Sequence, residues 1–164
     1  MPIAESFTIV AARTDQHIED ARLLCREYLD WLAIDHGIIL DFQGVEDELR
    51  KLPGDYAPPA GELLLAYDGR SRPAGCIAVR PFEGRTCEVK RLYIRNEARG
   101  TGLGHRLAEA IVTAARSLGY SRAVLDTGDF MASAQRVYER AGFRDIPAYY
   151  ENPLPRIRYL GRDL

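Results

Sequence analysis

The six residues Arg99-Gly100-Thr101-Gly102-Leu103-Gly104 carry the clearest chemical signal in this chain. Glycine at every second position leaves backbone N–H groups bare, so a bulky anion can approach the main chain closely. The helix-like stretch that follows turns the positive end of its dipole toward the same point. Together these features predict a phosphate pocket. A turn that merely joins two elements rarely needs three glycines, because each costs about 1 kcal/mol relative to alanine in regular structure. Arg99 either touches phosphate or caps local carbonyls, and the sequence permits both.

Exclusion narrows the ligand. A nucleoside-triphosphate loop ends in Gly-Lys-Ser/Thr, whereas Gly104 is followed by His105 and Arg106. A dinucleotide fingerprint reads Gly-x-Gly-x-x-Gly, and the spacing here is Gly-x-Gly-x-Gly. Asp126 lies about 20 residues on, where a ribose-binding acid would stand. The chain is nevertheless too short for two mononucleotide-binding halves, and the turn comes late, after several strands. This disfavours a nucleotide-binding module.

The loop must be positioned by its flanking elements. Phe7 to Ala12 alternates loosely and predicts a first strand. Thr14 or Asp15 can cap a helix from near Gln16. Its apolar face runs through Ile18, Ala21, Leu24, Cys25, Tyr28, Leu29 and Leu32, and it fades before Gly37. A short helix follows over Glu46 to Leu52, then a proline-rich loop from Asp55 to Gly61. Glu62 to Tyr67, Pro73 to Arg80 and Arg85 to Arg95 predict strands two to four, mostly antiparallel hairpins, with a turn at Asp68-Gly69-Arg70. A helix over 102–119, with Gly119 as its C-cap, leads to a fifth strand at Ala123 to Asp126. Strand, helix and strand make a right-handed parallel crossover. Helix 131–141 and short strands near Pro147–Tyr150 and Arg156–Leu160 complete a mixed sheet.

Composition bounds the partners. The 164 residues suit a single domain, and 46% hydrophobic content supports one core. No apolar run approaches a bilayer span. The Met1-Pro-Ile-Ala-Glu-Ser start lacks the basic region and apolar core of a signal peptide, so the expected location is the cytoplasm, with no membrane partner. A net charge of −2 supplies no global field toward nucleic acid. Only Lys51 and Lys90 among the 22 cationic residues are lysine, which reads as a compositional bias. Cys25, Cys76 and Cys87 have no paired metal spacing, His17, His36 and His105 are scattered, and no metal site is expected.

The motif Arg99-x-x-Gly102-x-Gly104 resembles the pyrophosphate-binding signature of the GNAT superfamily of acyl-CoA N-acyltransferases. Two further segments extend the resemblance over roughly residues 60 to 145. Cys87-Glu-Val-Lys-Arg-Leu-Tyr-Ile94 is similar to the family's fourth strand, and Ala134-Gln-Arg-Val-Tyr-Glu-Arg-Ala-Gly-Phe143 to its late A-x-x-x-Tyr-x-x-x-Gly-Phe helix. The resemblance implies one α/β (mixed α+β) domain over 1–164. A mostly antiparallel sheet of about six to seven strands is flanked by about four helices. The fourth strand, third helix and fifth strand form its cofactor-binding unit. Acetyl-CoA is the implied cosubstrate. Its pantetheine arm would add to the sheet as a pseudo-strand beside Leu92, Tyr93 and Ile94, with Arg99, Gly100, Thr101, Gly102, Leu103 and Gly104 on the pyrophosphate.

The family pattern makes Tyr138 the proton donor to the leaving thiolate; the competing reading is a core tyrosine packed beside Ala134 and Ala141. Glu88, six residues before Ile94 and so on its face by strand periodicity, matches the family's catalytic glutamate. Its competing reading is an ion pair with Lys90 or Arg91. Met131 stands where the family often carries an asparagine, which shifts cofactor contacts toward neighbours such as Ser133. The acceptor groove is implied at Tyr28–Gly44 and Ala148–Pro155. Arg80, Arg91 and Arg156 would suit a carboxylate-bearing acceptor; Asp35, Asp41 and Glu46 would suit a cationic one such as a polyamine. The expected activity is acetyl transfer to a primary amine of a small molecule, by direct attack in a ternary complex. A protein or peptide amine as acceptor and a non-catalytic acyl-CoA sensor are the alternatives. A monomer or a homodimer is expected.

Overall fold

The computed structural model of the chain describes residues 6–40 and 44–164. The candidate acceptor residue Asp41 and most of the N-terminal segment lie outside the described residues. Strands run β1 (Thr8–Ala11), β2 (Glu62–Tyr67), β3 (Pro73–Glu83), β4 (Thr86–Ile94), β5 (Arg122–Gly128), β6 (Arg144–Asp145) and β7 (Ile157–Asp163). Helices are α1 (Asp15–His36), α2 (Val45–Arg50), α3 (Leu103–Ser117) and α4 (Ala132–Arg140). The seven strands form one sheet in the order β1-β2-β3-β4-β5-β7-β6. Every pairing is antiparallel except β4 with β5, the two strands joined through α3.

Local chemistry sets the element ends. Thr14 caps α1 by accepting from the His17 N–H at 3.1 Å, and the His17 ring accepts from the Thr14 N–H. Gly37 ends the helix in the left-handed conformation. The sheet is covered on both faces. Ala21, Leu24 and Cys25 of α1 and Val45 and Leu49 of α2 pack with Leu63, Leu65, Cys76 and Ala78. On the other face Leu103, Leu107 and Ile111 of α3 pack with Ile77, Val79, Val89 and Leu125, joined by Tyr138 and Phe143. Fully burying each such leucine or isoleucine contributes about 1.5–3 kcal/mol.

Two expectations need correction. The predicted strand near Pro147–Tyr150 does not form. Arg144–Asp145 pairs with β7 instead, and the chain beyond it is irregular. Proline at 147 cannot donate to a ladder, and the Tyr149 and Tyr150 hydroxyls bond Glu88 and Asp126. The second concerns β4. Cys76 pairs with Tyr93 but Ala78 with Lys90, so Ile77 faces two residues, Arg91 and Leu92. Arg91 adopts φ +64° at this bulge, and the Cys76 thiol donates to its carbonyl at 3.3 Å. The extra residue reverses strand parity. Glu88 therefore lies on the α1 face with Tyr93, not on the face of Ile94 as simple alternation predicts.

Candidate active site

The site is a gap in the sheet. The β4–β5 ladder holds only Thr86–Arg122, Cys87–Ala123 and Glu88–Val124. Beyond these pairs the strands splay, leaving one edge of each without a strand partner. The Arg99–Gly104 loop stands at the end of β4. Gly100 and Gly102 have φ of +76° and +84°, and a side chain on either would point into open space. Gly104 is constrained differently: a Cβ there would meet Val137 Cγ2 at 3.2 Å, so it also lets α3 approach α4. The N–H groups of Gly100, Gly102, Gly104 and His105 have no partner among the described residues.

These groups open onto a groove of about 1460 Å³, lined among others by Leu92, Tyr93, Ile94, Arg99, Gly100, Gly102, Leu103, Gly104 and Ser133. Thr101 does not line it. Its hydroxyl donates to the Ala98 carbonyl at 2.6 Å and fixes the loop. Arg99 donates to the Ile94 carbonyl at 3.0 Å while its guanidinium lies 5.7 Å from the Trp31 ring centre. Arg136 and Arg140 also line the groove, and none of these three arginines forms a salt bridge with a described residue. Guanidiniums without a carboxylate partner around bare N–H groups suit an anion.

A second cavity, about 640 Å³ counted to its open mouth, passes through the splay. Val89, Thr127, Ala134 and Tyr138 line it together with Tyr28, Lys90, Asp126 and Asn152. Tyr28, Leu92, Phe130, Met131 and Ala134 belong to both spaces, so they meet there. Tyr138 packs edge-on against Phe143, and its hydroxyl has no described partner. Burial pushes its phenol well above the usual range, so it stays a proton donor. Tyr28 donates to Met131 Sδ at 3.9 Å, and burial pushes it up to about 12. The buried Thr127 hydroxyl has no described partner.

The charged residues sort differently from expectation. Glu88 lines neither space; Arg80 bridges it at 2.8 Å and Tyr149 donates to it at 2.6 Å. Its ion-pair partner is thus Arg80, not Lys90 or Arg91. Arg91 bonds Glu48 at 2.8 Å and Arg156 bonds Asp129 at 3.2 Å, so the three candidate carboxylate-binding arginines all hold protein carboxylates. On the cationic-acceptor side, Glu46 pairs with Arg26 and Asp35 is exposed. Among the described residues, the carboxylate that lines the cavity is Asp126. Tyr150 and Asn152 both donate to its Oδ2, Asn152 at 2.8 Å, leaving Oδ1 open. Lys90 and Asp126 are the functional candidates that sequence reasoning passed over. The signal was there: charges at 88, 90 and 91 of a central strand in a sheet covered on both faces must find partners or face a cavity.

The model of the acetyltransferase (GNAT) family matches residues 23–143. An uncharacterised N-acetyltransferase of Schizosaccharomyces pombe is 41% identical over 156 residues, 94% of this chain and 93% of that protein. An acetyltransferase of the same family from Staphylococcus aureus superposes with a TM-score of 0.78 at 19% identity, covering 96% and 99% of the two chains. The PaiA N-acetyltransferase of Thermoplasma acidophilum, solved with coenzyme A, gives 0.74 at 16% identity over 97% and 99%. Family model, full-length relative and fold agree: this chain belongs to the GNAT acetyltransferase family and is an acyl-CoA N-acyltransferase.

Proposed function

We propose that the chain transfers an acetyl group from acetyl-CoA to the primary amine of a small molecule by direct attack in a ternary complex. The observation that carries this reading is the meeting of two spaces at the β4–β5 splay. The groove offers bare N–H groups and guanidiniums without a carboxylate partner to a pyrophosphate. The open edges of β4 and β5 suit the amides of a pantetheine arm. An acyl group on that arm would end near Leu92 and Met131, where the second cavity opens. Cys25, Cys76 and Cys87 line neither space, so no cysteine thiol stands ready to form an acyl-enzyme, which supports direct attack.

In this reading Asp126 Oδ1 receives the incoming ammonium and draws off its proton, directly or through water. A backbone N–H of the bulged segment near Tyr93 or Ile94 stabilises the tetrahedral oxyanion. Tyr138 donates a proton to the departing thiolate. Glu88 becomes a positioning residue that fixes Tyr149 and Arg80. Thr127 and Ser133 supply polar contacts to the arm in place of the asparagine that Met131 replaces.

Initial-rate kinetics test the proposal. Coenzyme A release should require an added amine, and double-reciprocal plots against both substrates should intersect. Parallel lines would replace direct attack with an acyl-enzyme route. Release that ignores amines would remove the transfer reading.

A further inference from the structure

Among the cations at the second cavity, Lys90 stands apart. It is 7% exposed, yet its ammonium has no hydrogen bond or ion pair with a described residue. Strand parity places it on the α1 face, before the bulge, where Asp126 also lies. Arg80 and Arg91, its cationic neighbours, are bridged to Glu88 and Glu48. Glu88, the nearest carboxylate on its own strand, is already held by Arg80 and Tyr149. The Lys90 stem is buried while its ammonium opens onto the cavity with no direct partner, an arrangement that is costly and rare. It is sustained where a ligand supplies the missing anion.

We propose that Lys90 anchors a carboxylate of the acceptor, so that the amine acetylated belongs to an amino-acid-like zwitterion. This rests on the transfer reading above. The cavity carries the two charges such a molecule needs. Lys90 faces its carboxylate, Asp126 faces its ammonium, and Asn152 and Tyr28 stand beside them. A monoamine or polyamine would engage Asp126, weaken the field of that carboxylate on Lys90 and bring no anion in its place. Burial lowers the affinity of Lys90 for its proton, partly offset by the carboxylates of Glu88 and Asp126. Binding an acid acceptor would reverse that lowering. The chain uses arginine at nearly every other cationic position, so a lysine here supplies a compact point charge in a small space.

The test compares α-amino acids with their own carboxamides and decarboxylated amines, at fixed acetyl-CoA, in wild type, Lys90→Met and Lys90→Arg. Wild type should favour the acids by about 100-fold in kcat/KM, as loss of one partner of a buried charge pair implies. Lys90→Met should bring the acid-to-amide ratio near one, through KM more than kcat, and Lys90→Arg should restore part of it. In the absence of acceptor, Lys90→Met should also melt higher than wild type, since it replaces a charge with no direct partner on a buried stem. Amine-dependent turnover in which amides match acids would overturn the carboxylate anchor and leave the transfer reading intact. Acetyl-CoA binding without turnover of any amine would overturn both. A Lys90→Met protein that keeps the acid preference would also overturn the anchor, and so would one that melts lower.

Discussion

Arg80 and Glu88 sit opposite each other in the β3–β4 register, and their side chains meet at 2.8 Å. The pair occupies a carboxylate for which the family resemblance implies a catalytic role. Tyr149 closes its other oxygen at 2.6 Å, tying the segment before β7 to the middle of the sheet. Glu88→Gln should therefore lower kcat less than tenfold and leave the shape of the pH–rate profile unchanged. It should destabilise the fold by about 1–3 kcal/mol by loosening a charged hydrogen-bond network. A drop of about 100-fold or more in kcat, with a displaced acidic limb, would return Glu88 to the role of base.

Tyr138 has the opposite character: buried, without a carboxylate partner and lining the second cavity. Tyr138→Phe keeps the ring contact with Phe143 and removes only the hydroxyl. We expect kcat to fall about 10- to 100-fold, with acetyl-CoA affinity by calorimetry nearly unchanged. Burial holds its phenol protonated well into the alkaline range. The wild-type rate should thus show no loss from Tyr138 ionisation up to the pH at which the protein unfolds. An unchanged kcat in the variant would remove Tyr138 from the mechanism.

Gly102 caps α3 at φ +84° with no atom near its missing side chain. Alanine there would strain the backbone by about 1–2 kcal/mol and place a methyl in the open space through which an anion approaches the loop. Gly102→Ala should fold, melt slightly lower and bind acetyl-CoA at least about tenfold more weakly than a wild-type affinity in the micromolar range, about −8 kcal/mol. Calorimetry with coenzyme A fragments would locate the loss. A fragment without the pyrophosphate should bind both proteins alike.

Glu48 lies between Arg91 and Tyr56, which donate to it at 2.8 Å each. Burial alone would raise its pKa, but the charge and hydrogen bond of Arg91, with the Tyr56 bond, outweigh burial and lower it. A lowered carboxylate contributes stability above its unfolded pKa and loses it as pH falls through the folded value. Arg91→Met removes the main opposing charge and leaves Glu48 with Tyr56 and with Arg80 at 3.6 Å, so burial weighs more heavily on its carboxylate. The variant should lose about 3 kcal/mol or more at neutral pH, and the difference from wild type should narrow in mild acid. Urea melts at pH 7 and pH 4.5 check both statements. A gap that widens in acid would refute this account of Glu48.

The sequence made the fold and the phosphate loop legible because their signals are local. A short apolar run before a turn signal gave β2 to the residue, helical spacing gave α1 and α3, and glycine marked the loop and the helix ends. The bulge was illegible because its positive φ falls on Arg91, a residue with no preference for it. One error follows from that position: simple alternation puts Glu88 on the face of Ile94. The missing strand at 147–150 had a similar origin. Two tyrosines in a row look β-forming, but long-range bonds to Glu88 and Asp126 decide their conformation. Neither carboxylate is near them in sequence.

The three-pair ladder between β4 and β5 also decides how the molecule is sewn together. The sheet is two half-sheets, one ending at β4 and one beginning at β5, held by a short seam and by α3 laid across it. Whatever lies in the open part of that seam becomes a structural member as well as a reactant. A molecule that bridges both edges should stiffen the halves against each other and slow amide exchange along β4 and β5. One that fills only the acceptor side should leave the seam as loose as before. Amide exchange along these strands thus distinguishes bridging molecules from plugs, before any chemistry is measured.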